Sequence, residues 1–102
     1  MDKNILVLGT GAQGSTVAQR MDEEPNVNRI ICADADHKAV DELVKMLNKA
    51  EGAYVDANDV DSIIKVAEGV DLIVNALPIR FAPNVLDAAL AVKADYQDFA
   101  AT

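Results

Sequence analysis

The chain has 102 residues, enough for one domain with a single modest core. Half of the residues are hydrophobic (51%) but only 4% are aromatic, so the core must be built from Val, Ile, Leu and Ala. That composition suits the strands of a buried parallel sheet, which are aliphatic runs. The net charge of −8 repels the phosphates of nucleic acids and anionic membranes, so we expect neither as a partner.

Membrane, secretory and metal-binding signals are missing from the sequence. No apolar stretch approaches the roughly 18 residues that a membrane helix needs, and the N-terminal apolar run breaks at Gly9. The single cysteine, Cys32, excludes an intramolecular disulfide and is interpreted as a small buried core residue. No Cys/His cluster has metal-ligand spacing, so no metal is predicted. We expect a soluble, cytoplasmic protein.

Aliphatic runs alternate with helical patterns along the chain. Residues 5–8 form a short run that ends at Gly9 and predicts a buried strand. A helical segment follows over residues 12–23, where Pro25 stops it. Residues 29–33 predict the second strand.

The next helix has the clearest periodicity in the chain. Asp36 is placed to cap its N-terminus, Gly52 is expected to end it, and residues 53–55 predict a third, shorter strand. Its apolar positions recur at i, i+3, i+4 and i+7, at Val40, Leu43, Val44 and Leu47.

The second half of the chain repeats this alternation. A third helix, with Asn58 or Asp59 as its cap, is closed by Gly69, and residues 70–74 predict the fourth strand. Residues 75–78 break the pattern. A fourth helix is then indicated by apolar residues at helical spacing, at Val85, Leu86, Ala89, Leu90 and Val92.

Residues 95–99 predict a fifth strand that reaches almost to the end of the chain. The order βαβαβαβαβ with short connections predicts an α/β fold, a doubly wound parallel sheet with helices on both faces. Residues 1–102 then form a single domain. Because the chain stops just after the last strand, we expect it to be the N-terminal part of a longer protein.

The first βα turn carries a phosphate-binding motif of the form G-x-G-x-x-G. It follows a strand, opens a helix and lies in a βαβ unit of about 30 residues, which is the context of a dinucleotide-binding Rossmann turn. Gly9 permits the tight turn, Gly11 lets the backbone approach a pyrophosphate, and Gly14 lets the helix pack closely on the strand. Helix N–H groups supply the positive potential. The predicted pyrophosphate site consists of Gly9, Thr10, Gly11, Ala12, Gln13 and Gly14.

An acidic residue ends the second strand 20 residues beyond Gly14. There, Asp34 is expected to accept hydrogen bonds from the adenosine ribose hydroxyls of NAD. Its charge would repel the 2′-phosphate of NADP, and no arginine follows in Ala35, Asp36 or His37. The sequence therefore favours NAD over NADP. His37, the only histidine, is interpreted as a surface or adenine-edge residue, not a catalytic one.

Two further strand ends are candidates for the same site. Asp56 follows the third strand, where many such domains contact adenine, although it could equally be a turn residue. Ligands of open parallel sheets bind beyond the carboxyl ends of the strands, so the break at residues 75–78 is expected beside the cofactor, with Ala76 leaving room for it. Arg80 is interpreted as a solvated residue at a helix start, with a place in the cleft as the alternative.

At this point the sequence resembles the saccharopine dehydrogenase family, whose relatives include lysine dehydrogenases and carboxynorspermidine synthases. The Asn-Ala-Leu-Pro break and the Tyr-x-Asp ending are its most discriminating features. The resemblance covers essentially the whole chain and rests on residues 5–14, 33–36, 55–59, 71–78, 88–89 and 95–98.

The resemblance implies an NAD(P)-dependent oxidoreductase that acts on C–N bonds of amino-acid-derived substrates by hydride transfer. It implies that this lobe binds the cofactor, while a second, missing domain carries the substrate and most catalytic residues, which leaves the catalytic residues unknown. The chain alone is then expected to bind cofactor without turnover, and the full-length protein to be a homodimer. By position, the resemblance assigns Gly9, Gly11, Ala12, Gln13 and Gly14 to the pyrophosphate, Asp34 with Ala35 to the ribose, Asp56 and Ala57 to adenine, and Asn75, Ala76 and Leu77 to the nicotinamide half.

Two other functions remain open. A nucleotide-sensing regulatory module of the potassium-channel or transporter type shares the glycine motif, the acidic residue and the length, but does not usually break the fourth strand in this way. A sugar-type oxidoreductase lobe predicts the same cofactor with another substrate, but this chain has no Lys-Pro pair on the fifth strand.

Overall fold

A computed structural model describes residues 3–98 as five strands and four α-helices, with one short 3-10 helix, Ile79–Phe81, after the fourth strand. No helix in this part of the chain is long and apolar enough to cross a membrane. The strands are β1 (Lys3–Leu8), β2 (Val27–Asp34), β3 (Ala50–Tyr54), β4 (Leu72–Asn75) and β5 (Asp95–Asp98). The helices are α1 (Ala12–Asp22), α2 (His37–Lys45), α3 (Val60–Ala67) and α4 (Ala82–Val92).

The strands form one parallel sheet in the order β3-β2-β1-β4-β5. The chain winds outward from β1 to β3 and then crosses back to place β4 on the other side of β1. The switch in strand order therefore lies between β1 and β4, and both strands end there at neighbouring residues, Leu8 and Asn75. In open parallel sheets this is the position at which a crevice opens.

Helices cover both faces of the sheet because the side chains of each strand alternate between them. On β1, Leu6 and Leu8 face a core shared with α3 and α4. Ile5 and Val7 face a second core shared with α1 and α2. The Rossmann-type α/β fold predicted from the alternating pattern is confirmed.

The sequence placed the end of the second helix incorrectly. Helix α2 ends at Lys45, and Gly52 lies inside β3, where it pairs with Cys32 of β2. The buried carboxylate of Asp22 accepts hydrogen bonds from the backbone N–H groups of Asn48 and Lys49, which draws the chain into the sheet early. Gly52 serves packing instead, because a Cβ at this position would lie 2.7 Å from a methyl carbon of Val40.

Other element boundaries differ by one to three residues. Asp36 caps α2 as predicted, and Asp59, not Asn58, caps α3. Asn75 is the last residue of β4 and not part of the break, because its backbone pairs with Leu8. The predicted end of the fifth strand at Phe99 lies outside the described residues.

Cys32 is fully buried on β2, as the sequence predicted. Burial raises the pKa of its thiol to about 11, with a further contribution from the negative charge of Asp22. A thiol with such a pKa is protonated at neutral pH and acts as a small apolar core residue.

Two glycines let α1 and the chain after β4 approach the first turn very closely. Gly9 has φ +100°, and a Cβ on it would lie 2.9 Å from the carbonyl oxygen of Ala76. A Cβ on residue 14 would overlap the carbonyl oxygen of Gly9. Gly11 differs from both, because a Cβ there would meet nothing within 4 Å.

This contrast makes a prediction about stability. We expect Gly14→Ala to lower the free energy of unfolding by about 3 kcal/mol, because the methyl group would force the helix away from the Gly9 carbonyl. Gly11→Ala should cost less than about 1 kcal/mol, since its methyl group enters open space at the start of the helix. Urea unfolding followed by circular dichroism measures both, and equal losses would contradict the packing described here.

Candidate functional site

A cleft of about 390 Å³ lies at the carboxyl edge of the sheet, beside the switch in strand order. Its walls come from four separate loops, each of which follows a strand. The cleft is lined by eight of the residues predicted from the sequence: Gly9, Gly11, Asp34, Ala35, Asp56, Ala57, Ala76 and Leu77. Residues up to 68 positions apart in the chain are thus brought together because parallel strands end at the same edge.

The glycine turn is tied to β2 and to α1 by hydrogen bonds. The N–H of Gly9 donates to the carbonyl oxygen of Ala33 at 2.8 Å, which continues the sheet into the turn. The hydroxyl of Ser15 donates to the carbonyl oxygen of Thr10 at 2.9 Å. The turn is therefore held from both sides, and its backbone is fixed before any ligand binds.

The N-terminus of α1 opens onto this cleft without a side-chain cap. Its N-cap residue is Gly11, whereas α2 and α3 are capped by the carboxylates of Asp36 and Asp59. The first N–H groups of a helix have no partner within the helix, so an uncapped end carries a positive potential. With no Cβ on Gly11 and open space in front of it, an anion can approach these N–H groups.

The carboxylate of Asp34 lies between the glycine turn and the start of α2. One oxygen accepts hydrogen bonds from the N–H and the hydroxyl of Thr10, at 2.8 and 2.9 Å. The other accepts from the N–H groups of Ala35 and Asp36, at 2.7 and 3.3 Å. Asp34 thus holds the turn in place, in addition to facing the cleft where the sequence predicted a ribose acceptor.

Asp56 is a turn residue whose position also agrees with the predicted contact to adenine. Its carboxylate accepts a hydrogen bond from the N–H of Asn58 at 3.0 Å, which makes it a turn residue. Asp56 also lines the cleft, together with the neighbouring Ala57, whose carbonyl oxygen is held by the Asn84 amide at 3.0 Å. This loop forms the wall of the cleft beside Asp34, whose carbonyl oxygen accepts a hydrogen bond from the N–H of Val55 at 3.2 Å.

Asn75 is fully buried at the end of β4 and does not line the cleft. Its side-chain oxygen accepts a hydrogen bond from the N–H of Leu77 at 3.0 Å, which closes the turn that carries Ala76. Its amide nitrogen donates to the hydroxyl of Tyr96 at 3.1 Å. Asn75 therefore shapes the wall formed by the following residues and has no surface of its own there.

The Tyr96 hydroxyl in turn donates to the carboxylate of Asp98 at 2.7 Å. Burial raises the pKa of Tyr96; the hydrogen bond from Asn75 lowers it, and the hydrogen bond to Asp98 raises it again. The net effect is a pKa above the ordinary value, so the phenol keeps its proton at neutral pH and can serve as donor to Asp98.

Four more predicted residues lie around the cleft without lining it. Thr10 donates hydrogen bonds to Asp34, which lines the cleft, and Gly14 is buried beneath the turn. Ala12 and Gln13 line a separate groove of about 520 Å³ that runs along α1 to Gln97. The predicted turn is formed, but its residues face two different surfaces, which the sequence did not resolve.

Five residues of the cleft were not predicted as site residues. Arg80, interpreted from the sequence as solvated, is exposed, lies over the ring of Phe81 at 4.6 Å and also lines the cleft. The signal that could have found the others was position alone, since three of them directly neighbour a predicted residue after a strand and Phe81 lies four residues beyond Leu77. They are Val55, Asn58, Pro78 and Phe81.

No catalytic constellation is apparent among the described residues. The imidazole of His37 stacks on the ring of Tyr54, with centroids 3.7 Å apart, and neither residue lines the cleft. Within residues 3–98, no three His, Cys, Asp or Glu side chains are grouped so that they could hold a metal ion.

Comparison with known proteins identifies the family to which the chain belongs. The model of the saccharopine dehydrogenase NADP-binding domain matches residues 5–102. A curated relative, the shikimate dehydrogenase (NADP(+)) of Methanocaldococcus jannaschii, is 35% identical over 97 residues, which are 92% of this chain and 32% of that protein. The chain thus spans about a third of this relative's length.

Solved structures show the same fold. Saccharopine dehydrogenase (L-Glu forming) from Saccharomyces cerevisiae matches with a TM-score of 0.87 and 23% identity, over 98% of this chain and 22% of the yeast chain. Pen from Bacillus thuringiensis matches with a TM-score of 0.79 and 18% identity, over 91% of this chain and 36% of that one.

The family match supports a nicotinamide dinucleotide as the ligand and connects the chain with dehydrogenase-type oxidoreductases. The family's description favours NADP, whereas the sequence prediction favoured NAD. The chain belongs to the saccharopine dehydrogenase NADP-binding domain family.

Proposed function

We propose that this chain is the dinucleotide-binding lobe of an oxidoreductase and holds its coenzyme across the carboxyl edge of the sheet. The observation that carries the proposal is the open space in front of Gly11, at the uncapped N-terminus of α1 and inside a preformed cleft. An acidic protein can bind a pyrophosphate there because backbone N–H groups, not basic side chains, supply the attraction.

The cleft residues divide among the parts of the coenzyme. The pyrophosphate lies on the turn formed by Gly9, Thr10, Gly11, Ala12, Gln13 and Gly14. Asp34 and Ala35 bind the adenosine ribose, and Asp56 and Ala57 border the adenine. Ala76 and Leu77 form the side of the nicotinamide half, and the buried Asn75, assigned to this half from the sequence, holds them in place. The residues fit this division because the adenine wall and the Ala76 wall lie on either side of the glycine turn in one cleft.

For the choice of coenzyme, we propose that Asp34 makes this member of the family prefer NAD. A carboxylate at the end of β2 repels the added charge of a 2′-phosphate. Ala35 and Asp36, which follow it, bring no positive charge to the cleft. This preference runs against the family's description, so the comparison of the two coenzymes is a direct test of the role of Asp34.

For the substrate, we propose an amino-acid-derived compound oxidised or reduced at a C–N bond, as the saccharopine dehydrogenase family implies. A relative named for shikimate shares 35% identity with this lobe, so the same lobe occurs with different substrates. The substrate is then selected by a second domain, and this lobe alone binds coenzyme without turnover. The family match also supports an oxidoreductase over a nucleotide-sensing module.

Gly11→Ala tests the proposed binding mode. The added methyl group enters the space assigned to the pyrophosphate, so NAD affinity should fall by about tenfold or more while the domain stays folded. Gln19→Ala, on an exposed position of the same helix, is the control and should leave the affinity unchanged. Isothermal titration calorimetry gives the dissociation constants, and unaltered NAD binding by Gly11→Ala would refute the proposal.

Asp34→Asn tests the choice of coenzyme. The amide removes the charge. Its NH2 group also replaces an oxygen that accepts hydrogen bonds, but that loss weakens both coenzymes alike, so the NAD-to-NADP affinity ratio should still fall by about tenfold. The matched control is Asp41→Asn, which neutralises a carboxylate of α2 that accepts a hydrogen bond from Tyr54 outside the cleft. Tighter binding of NADP than of NAD by the unmodified chain would show that the assignment to Asp34 is wrong.

A further inference from the structure

The hydroxyl of Tyr96 stands in a chain of hydrogen bonds that the proposed binding mode does not use. The chain runs from the N–H of Leu77 to the Asn75 oxygen, from the Asn75 amide nitrogen to Tyr96, and from Tyr96 to Asp98. It links the ends of β4 and β5, whose residues Asn75 and Asp98 are paired in the sheet.

The direction of each bond is fixed by the chemistry of the groups. A backbone N–H can only donate, so the oxygen of the Asn75 amide must face Leu77. Its nitrogen then needs an acceptor, which the Tyr96 hydroxyl supplies while it donates its own proton to Asp98. Asn75 is fully buried, so removal of the hydroxyl takes away the acceptor that the structure gives its amide nitrogen.

The turn at Ala76, which these hydrogen bonds hold, packs directly against the glycine turn. The N–H of Ala76 donates to the carbonyl oxygen of Leu8 at 2.8 Å, and the Ala76 carbonyl oxygen packs where a Cβ on Gly9 would lie. Ala76, Leu77 and Pro78 form a wall of the cleft. The position of this wall therefore depends on the bond between Leu77 and Asn75.

We propose that Tyr96 is a positioning residue, which fixes the Asn75 amide and through it the wall of the cleft that receives the nicotinamide half of the coenzyme. Tyr96 itself does not line the cleft. It acts through two intervening groups, so its removal should loosen one wall and leave the opposite, adenine-binding wall in place. The ligand in this inference rests on the proposed function, whereas the hydrogen bonds are seen in the structure itself.

The first test is hydrogen exchange of two neighbouring amides, measured by NMR in the wild type and in Tyr96→Phe. The Leu77 N–H should exchange at least about tenfold faster in the variant, since its acceptor is no longer held. The Ala76 N–H, bonded to β1, is the internal control and should keep its protection. Unchanged exchange of Leu77, or an equal loss at both amides, would overturn the inference.

The second test compares two ligands by NMR titration. Tyr96→Phe should weaken NAD by about tenfold and change the affinity for adenosine monophosphate by less than about twofold. Tyr54→Phe is the matched control, because its hydroxyl also donates to a carboxylate, Asp41, but lies outside the cleft. The ratio of the two affinities should not change in this control.

The two tests separate the two proposals. Equal weakening of both ligands, or weakening of neither, would refute the role of Tyr96. If neither ligand binds the wild-type chain, the proposed function fails, and the exchange of Leu77 alone then decides whether Tyr96 holds the turn.

Discussion

Backbone packs on backbone at the centre of this molecule, where the Gly9 carbonyl oxygen lies in the space that a side chain on residue 14 would need. On the other side of the same turn, the Ala76 carbonyl oxygen occupies the space of a Cβ on Gly9. Three chain segments from β1, α1 and β4 thus meet without side chains between them. This contact sets how close the helix N-terminus comes to the ends of the strands, and the geometry of the cleft follows from it.

In the proposed binding mode, the same contact lets a chain with a net charge of −8 attract an anion. The overall field is unfavourable for phosphates, but the helix N-terminus acts at short range, where uncapped N–H groups dominate. Asp34 strengthens this arrangement, because its carboxylate accepts the N–H and hydroxyl of Thr10 and so holds the turn open towards the cleft. In the proposed binding mode, one acidic residue thereby orders the anion-binding loop while its charge discriminates between coenzymes.

Much of this could be predicted from the sequence, because the signals were local. Gly9, Gly11 and Gly14 at their fixed spacing, with Asp34 at the end of the next strand, predict a Rossmann turn. Gly52 was misassigned because a glycine after a helical pattern looks like a helix end. In the structure the position is determined by the distant carboxylate of Asp22 and by the proximity of Val40, which no local pattern reveals.

The same limit applies to the site. Cleft residues after a strand were found, but Asn75 was assigned to a binding surface although it is buried and works through Leu77. The contribution of Tyr96 depends on the pairing of β4 with β5, which brings two residues 21 positions apart into hydrogen-bond contact. Partners of this kind follow from the topology of the sheet and are not visible in the spacing of residues along the chain.

The central claim is that a dinucleotide lies across the carboxyl edge with its pyrophosphate on the glycine turn. The most direct measurement is a map of backbone amide chemical-shift changes on addition of NAD. The account predicts the largest changes at residues 11–13, with further changes at Ala35, Ala57 and Leu77 and none at Asp71 on the amino edge of the sheet. Changes concentrated on the amino edge, or largest at Thr16, Arg20 and Gln97 in the groove along α1, would contradict it.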